Sequence, residues 1–155
     1  MPPQRLFMTG GTSYLGSRLI PLLLERGHRV TALVRQESAA YVPRGVQVVI
    51  GNALDEASVS EYVRSGDTVV QLVGIPKPAP WKGAQFRAVD RLSGLASIDA
   101  ATKAGASHFI YVSVAHPAPI MKDYIAVRHE CEDRLRASGL RATIVRPWYI
   151  LGPGH

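Results

Sequence analysis

Three polar side chains in the second half of the chain have the types and spacing of an acid–base site. Tyr124 and Arg128 stand four residues apart at the start of a helical pattern over Asp123–Ala137, so they share one helix face, one turn apart. A guanidinium beside a phenol favours the phenolate and moves a tyrosine toward useful proton-transfer chemistry. Ser113 closes the apolar run Phe109-Ile110-Tyr111-Val112 and offers a hydroxyl to a substrate carbonyl or alcohol. Together the three read as a proton-transfer site for carbonyl and alcohol chemistry. The competing reading is a solvated helix face, which a Tyr-x-x-x-Arg spacing also suits.

A second feature lies at the other end of the chain. The apolar run Leu6-Phe7-Met8 ends in Thr9-Gly10-Gly11-Thr12-Ser13-Tyr14-Leu15-Gly16, and an amphipathic segment follows. This is a strand, a tight turn and the start of a helix. Backbone N–H groups and the helix dipole together favour an anionic diphosphate there. Gly10 suits the sharp turn off the strand, and Gly16 suits close packing of helix on sheet. Ser13 occupies the middle position, where glycine would let backbone approach phosphate; its hydroxyl could donate instead. The alternative is a plain strand–helix connection. An NTPase-type phosphate loop is set aside, because Ser17-Arg18 stands where Lys-Ser/Thr is required.

These residues need a scaffold, and the pattern supplies one. Strands are expected at Arg5–Thr9, Arg29–Arg35, Val46–Gly51, Thr68–Gly74, His108–Val114 and Ala142–Trp148, with helices at Tyr14–Arg26, Glu56–Arg64, Ala84–Lys103 and Asp123–Ala137. Continuous apolar runs such as Val46–Ile50 and Thr68–Val73 read as parallel strands buried on both faces. The alternation predicts an α/β fold, a doubly wound parallel sheet in a three-layer α/β/α arrangement. With 155 residues the chain reads as one domain with a real core, and 46% hydrophobic against 19% charged residues argues against disorder. No apolar run reaches membrane-spanning length and the N-terminus lacks a secretory pattern, so a cytoplasmic location is expected.

The formal charge of +6 invites a nucleic-acid reading. The basic residues are spread singly, without aromatic interleaving, which disfavours it. A basic surface that attracts an anionic cofactor accounts for the charge equally well. At the end of the second strand Val34 is followed by Arg35, not by an acidic residue that would bind a ribose 2′-hydroxyl. Arg35 could pair with a 2′-phosphate and favour NADP, or it is an exposed strand-end arginine. Asn52 could meet an adenine edge or serve as an ordinary turn residue. Gly74 closes the fourth strand, where a missing side chain lets cofactor lie against backbone.

These motifs jointly resemble the short-chain dehydrogenase/reductase superfamily of the extended or atypical kind, close to the NAD(P)-dependent epimerase/dehydratase and NmrA-like groups. Thr9–Gly16 is similar to Thr-Gly-x-x-Gly-x-x-Gly with Ser13 for the central glycine, and Gly51-Asn52-Ala53-Leu54-Asp55 to Gly-Asp-x-x-Asp with Asn52 for the first aspartate. Tyr111-Val112-Ser113 resembles the strand carrying the active-site serine. Tyr124–Arg128 resembles Tyr-x-x-x-Lys with arginine for lysine. The resemblance implies a Rossmann fold and a cofactor, NADP or NAD. The cofactor is expected on Gly10, Thr12, Ser13, Tyr14, Leu15, Gly16, Arg35, Asn52, Ala53, Val73, Gly74 and Arg128. It implies Tyr124 as general acid/base, Ser113 orienting the reacting oxygen, and Arg128 holding ribose and tuning Tyr124. The implied partner is a small carbonyl or alcohol substrate, with hydride transfer or a half-step of epimerisation as the reaction. A non-catalytic NADP-binding regulatory or assembly module is the alternative, and an interaction domain that has lost its cofactor is a third. The chain reaches His155 before the family's substrate region, which reads as a fragment or as a minimal unit.

Other residues read more plainly. No histidine spacing with Cys131 suggests a metal site, and none is expected. Cys131 reads as a small packing residue, and His116 either faces substrate or is a solvated loop residue. Trp81 and Phe86 flank the Pro-rich loop Ile75–Trp81, as a lid or as packing residues. The small-residue stretch Ser93–Ile98 suits a homodimeric helix bundle or packing within the chain.

Overall fold

The computed structural model describes residues 1–117 and 119–155. Six parallel strands form one sheet in the order β3-β2-β1-β4-β5-β6. They are β1 (Arg5–Thr9), β2 (Arg29–Val34), β3 (Gln47–Ile50), β4 (Thr68–Gln71), β5 (His108–Val112) and β6 (Ala142–Val145). The register pairs Thr9 with Leu33 on one side and with Gln71 on the other. The order reverses between β1 and β4, and the carboxyl ends of those strands diverge there into a crevice.

The helices are α1 (Tyr14–Glu25), α2 (Glu56–Ser60), α3 (Gly83–Gln85), α4 (Leu92–Ala104) and α5 (Lys122–Ala137). Helix α1 lays Ile20 against Leu6, Met8, Val30 and Val70 on one face of the sheet. Val59, beside Val63, and the apolar sides of α4 and α5 cover Phe7, Leu33, Val69, Phe109 and Tyr111 on the other. The expected doubly wound, three-layer Rossmann-type architecture is therefore present.

The departures from the expected elements are local. Helix α2 stops at Ser60, and the long helix expected over Ala84–Lys103 is interrupted by a π-helical stretch, Phe86–Arg91, between α3 and α4. Strand β4 is buried throughout, as its apolar run implied, but β3 is mostly exposed. The cause is position: β3 is a sheet edge, so a continuous apolar run there is not sandwiched between layers. The small residues of α4 are consumed inside the chain. Ser93, Gly94, Ala96 and Ser97 are buried, and a Cβ at Gly94 would lie 2.5 Å from Cys131 Sγ on α5. No helix among the described residues is long and apolar enough to cross a membrane.

Candidate active site

The turn after β1 has the geometry that its glycines imply. Gly10 has φ of +75°, and a Cβ on it would lie 2.7 Å from the Leu72 carbonyl carbon at the end of β4. A Cβ on Gly16 would collide with the Gly10 carbonyl and come within 2.6 Å of Gly11 O. Ser13 is resolved by its backbone: φ is −67°, so glycine is not required there. Its Oγ accepts from Gly16 N at 3.1 Å and caps α1. The free first-turn N–H groups of Tyr14 and Leu15 remain for an anion.

A cavity of about 410 Å³ opens beside this turn at the sheet's switch point. It is lined by Gly10, Thr12 and Ser13 from the turn, Val34 and Arg35 from the end of β2, and Asn52 and Ala53 after β3. Val73, Gly74 and Ile75 after β4 complete its far wall, with Val89 of the π segment. Eight of the twelve residues expected to touch the cofactor line this cavity, Gly10, Thr12, Ser13, Arg35, Asn52, Ala53, Val73 and Gly74; Tyr14, Leu15, Gly16 and Arg128 lie outside its lining. Asn52 already accepts from Leu54 N through Oδ1 at 3.0 Å, which leaves its amide N–H₂ available. Arg35 is exposed and pairs with Glu37 at 3.3 Å.

Arg128 and Tyr124 meet at the Gly74 end. Arg128 Nη2 donates to Tyr124 Oη at 3.2 Å and to Asp90 Oδ1 at 2.6 Å. Its Nη1 donates to the Val112 carbonyl at 3.0 Å and, more weakly, to Tyr111 Oη at 3.4 Å. A Cβ on Gly74 would lie 2.8 Å from Arg128 Nη2, so the missing side chain admits the ion pair to the cavity edge. The Tyr124 ring is steadied by Phe86, with centroids 4.9 Å apart. Because the phenol oxygen accepts from Arg128, its own O–H is free to donate elsewhere.

Asp90 is the residue that sequence reading missed. It is fully buried, and its Oδ2 accepts from Ile75 N at 3.1 Å. Burial pushes its carboxyl above the ordinary range, against the opposing charge of Arg128. In the sequence it is one of several polar residues in the helical stretch Phe86-Arg87-Ala88-Val89-Asp90-Arg91, with nothing local to mark it as buried. The π segment turns that position toward the cleft, and such insertions recur at functional sites.

Ser113 follows β5 and is buried. Its Oγ lies beside the Glu132 carboxylate without a hydrogen bond of good geometry. Glu132 is itself buried and accepts two bonds from Arg146, at 2.9 and 2.6 Å, and one from Arg136 at 2.7 Å. Burial alone would raise its carboxyl, yet the hydrogen bonds from Arg146 and Arg136, with the Ser113 hydroxyl close by, outweigh that and hold it at about 2. His116 is a part-buried loop residue: its Nε2 lies 3.8 Å from Glu132 Oε1 and its ring 4.0 Å from that of His129. Donor atoms of His116, His129 and Glu132 lie within 4.8 Å of one another. Two guanidinium groups already neutralise Glu132, which opposes a cation there. Cys131 is buried, as a packing residue would be. Phe86 is buried while Trp81 is 83% exposed, so the two aromatic flanks of the Pro-rich loop part ways.

Comparison with known proteins gives a consistent picture. Residues 10–152 match the family described as NAD(P)H-binding. A ceramide reductase of Caulobacter vibrioides is 31% identical over 149 residues, which is 95% of this chain and 46% of that protein. An uncharacterised sugar epimerase, YhfK of Bacillus subtilis, is 29% identical over 92% of this chain and 71% of its own length. The chain thus spans about half the length of the first of these relatives. The Bordetella bronchiseptica enzyme WbmH, solved in complex with NAD+, superposes with a TM-score of 0.76. It is 24% identical, over 94% of this chain and 56% of that one, a likeness of fold.

Proposed function

This chain belongs to the NAD(P)H-binding family, and on that premise we propose that it is the dinucleotide domain of an oxidoreductase or epimerase acting on a carbonyl or secondary alcohol. The fold, the match and the relatives bear out the short-chain dehydrogenase/reductase resemblance and NAD(P) as the cofactor. The cavity fits that group: Gly10, Thr12 and Ser13 of the turn that leads into α1 line one end, and the side-chain-free Gly74 lies at the other. Bound NAD(P)H would supply or accept the hydride. Gly10 and the first turn of α1 would hold the pyrophosphate, and Arg35 a 2′-phosphate. The single observation that carries the reaction is the Arg128 Nη2–Tyr124 Oη bond at the Gly74 edge. It fixes the phenol oxygen and leaves its proton directed to a substrate oxygen. Ser113 Oγ, buried without a partner, would orient that oxygen.

For the substrate, three exposed aromatic residues support an apolar body. Trp81 follows β4, and Trp148 and Tyr149 follow β6; all three are at least 66% exposed. The ceramide reductase among the relatives is in keeping with such a substrate. The test is an NADPH fluorescence titration followed by a panel of ketones from long-chain to sugar-like, run with Tyr124→Phe. The expected result is NADPH binding, turnover of an apolar ketone, and a loss of about 100-fold or more in kcat in the variant. Full activity in Tyr124→Phe would remove Tyr124 from the reaction. Arg35→Ala is expected to weaken NADPH about tenfold and NADH little; equal losses would refute the 2′-phosphate assignment.

A further inference from the structure

A second cleft, of about 260 Å³, lies at the opposite, amino-terminal edge of the sheet. It opens where β1, β2 and β3 begin and where the chain leaves the α2 region for β4. Its walls carry three arginines, Arg5, Arg29 and Arg64, with Thr31, Gln47 and Tyr62. Arg5 and Arg29 are register partners on adjacent strands, so two like charges stand side by side. Nothing in the sheet's own packing calls for that, and like charges placed opposite each other destabilise a sheet.

The single carboxylate in the lining is already committed. Asp67 accepts from Arg5 Nε at 3.0 Å through Oδ1 and from the Arg64 backbone N–H at 2.8 Å through Oδ2. Asp67 is nearly buried, and it fixes the Arg5 guanidinium, whose Nη2 donates to Ser65 O at 2.7 Å. Arg64 is held through Nη1 by the carbonyls of Glu61 and Val63, which leaves its Nη2 edge unused. Arg29 forms no ion pair or side-chain hydrogen bond among the described residues. The cleft therefore carries three guanidinium charges against one carboxylate, with two of the three already oriented by backbone carbonyls. Gln47 Oε1 accepts from Thr31 Oγ1 at 3.4 Å, so the Gln47 amide is left to donate.

We propose that this cleft binds the phosphoryl group of a small phosphorylated molecule, at a site separate from the dinucleotide cavity. Guanidinium forks match phosphate oxygens in geometry, and pre-oriented ones lose less freedom on binding than free surface lysines. The volume suits a phosphate or diphosphate group and is too small for a second dinucleotide. Tyr62 supplies a wall against which the body of such a ligand would rest. The ligand would be free phosphate or the phosphoryl end of a metabolite.

The test is a titration of isotope-labelled protein with inorganic pyrophosphate, and separately with a sugar phosphate, followed by backbone amide shifts. The expected result is movement of Leu6, Thr31, Gln47 and Tyr62, weakened about tenfold in Arg29→Ala/Arg64→Ala. Tighter binding of the sugar phosphate than of pyrophosphate would mark a metabolite as the ligand. Both substituted residues are exposed, and unchanged amide shifts elsewhere verify that the variant folds. Shifts confined to Gly10–Gly16, equal binding in the variant, or no shift at millimolar pyrophosphate would each overturn the proposal.

Discussion

Arg128 is the residue on which the site turns, because it stands at the lysine position of the Tyr-x-x-x-Lys pattern that Tyr124–Arg128 resembles. An ammonium is a compact point charge, whereas the guanidinium is a planar fork with five donors. Here that fork reaches Tyr124, Asp90, Val112 and Tyr111 at once. The side chain is almost entirely enclosed, at 7% exposure, with Asp90 at 0%. A buried charge is tolerable when its partner is present and expensive when the partner is removed. Asp90→Asn keeps the shape and deletes the charge, so Arg128 becomes an uncompensated buried cation. The expected outcome is a loss of about 3 kcal/mol, or roughly 6–12 °C in Tm, measured by thermal denaturation. Turnover should fall with it, since the fork that holds Tyr124 loses its anchor. An unchanged Tm would mean that water, not Asp90, balances Arg128.

At the scale of elements, the turn between β1 and α1 is fixed by backbone approach. Gly16 sits where any Cβ would strike the Gly10 and Gly11 carbonyls, and backbone cannot swing aside as a side chain can. Gly16→Ala should therefore push α1 away from the turn, lower Tm by several degrees and weaken NADPH more than tenfold in a fluorescence titration. Much of this was legible in the sequence. The placing of the strands along the chain, the glycine turn and the Tyr124–Arg128 helix face follow from period and spacing, which are local properties. The exposure of β3 was not legible, because an edge strand and a central strand can carry the same apolar run. Nor was the π stretch at Phe86–Arg91, since one extra residue in a turn leaves the apolar pattern nearly intact. That insertion is what aims Asp90 at Arg128, so the ion pair was hidden along with it. The nearness of His116 to Glu132 was not legible either, because Glu132 is sixteen residues away, on a helix.

The whole molecule is joined at its carboxyl edge by Glu132. One buried carboxylate on α5 ties together Arg136 of the same helix, Arg146 just after β6, and the loop bearing His116 and Ser113. Its folded value of about 2 lies below the ordinary 4.5, so its ionised form is favoured by folding. The contribution is fully present above about pH 4.5 and is lost as pH falls toward 2, where the folded protein takes up the proton. Acid should therefore loosen the union of α5 with the end of β6 and, with it, the setting of Ser113. Glu132→Gln removes the charge that Arg136 and Arg146 pair with, and because both arginines are part-exposed a loss of about 1.5–3 kcal/mol is expected at neutral pH. The discriminating measurement is Tm against pH for both proteins. The difference between them should be largest at neutral pH and shrink steadily between pH 4.5 and 2. A constant gap across that range would show that packing of the side chain, and not its ionisation, holds this edge together.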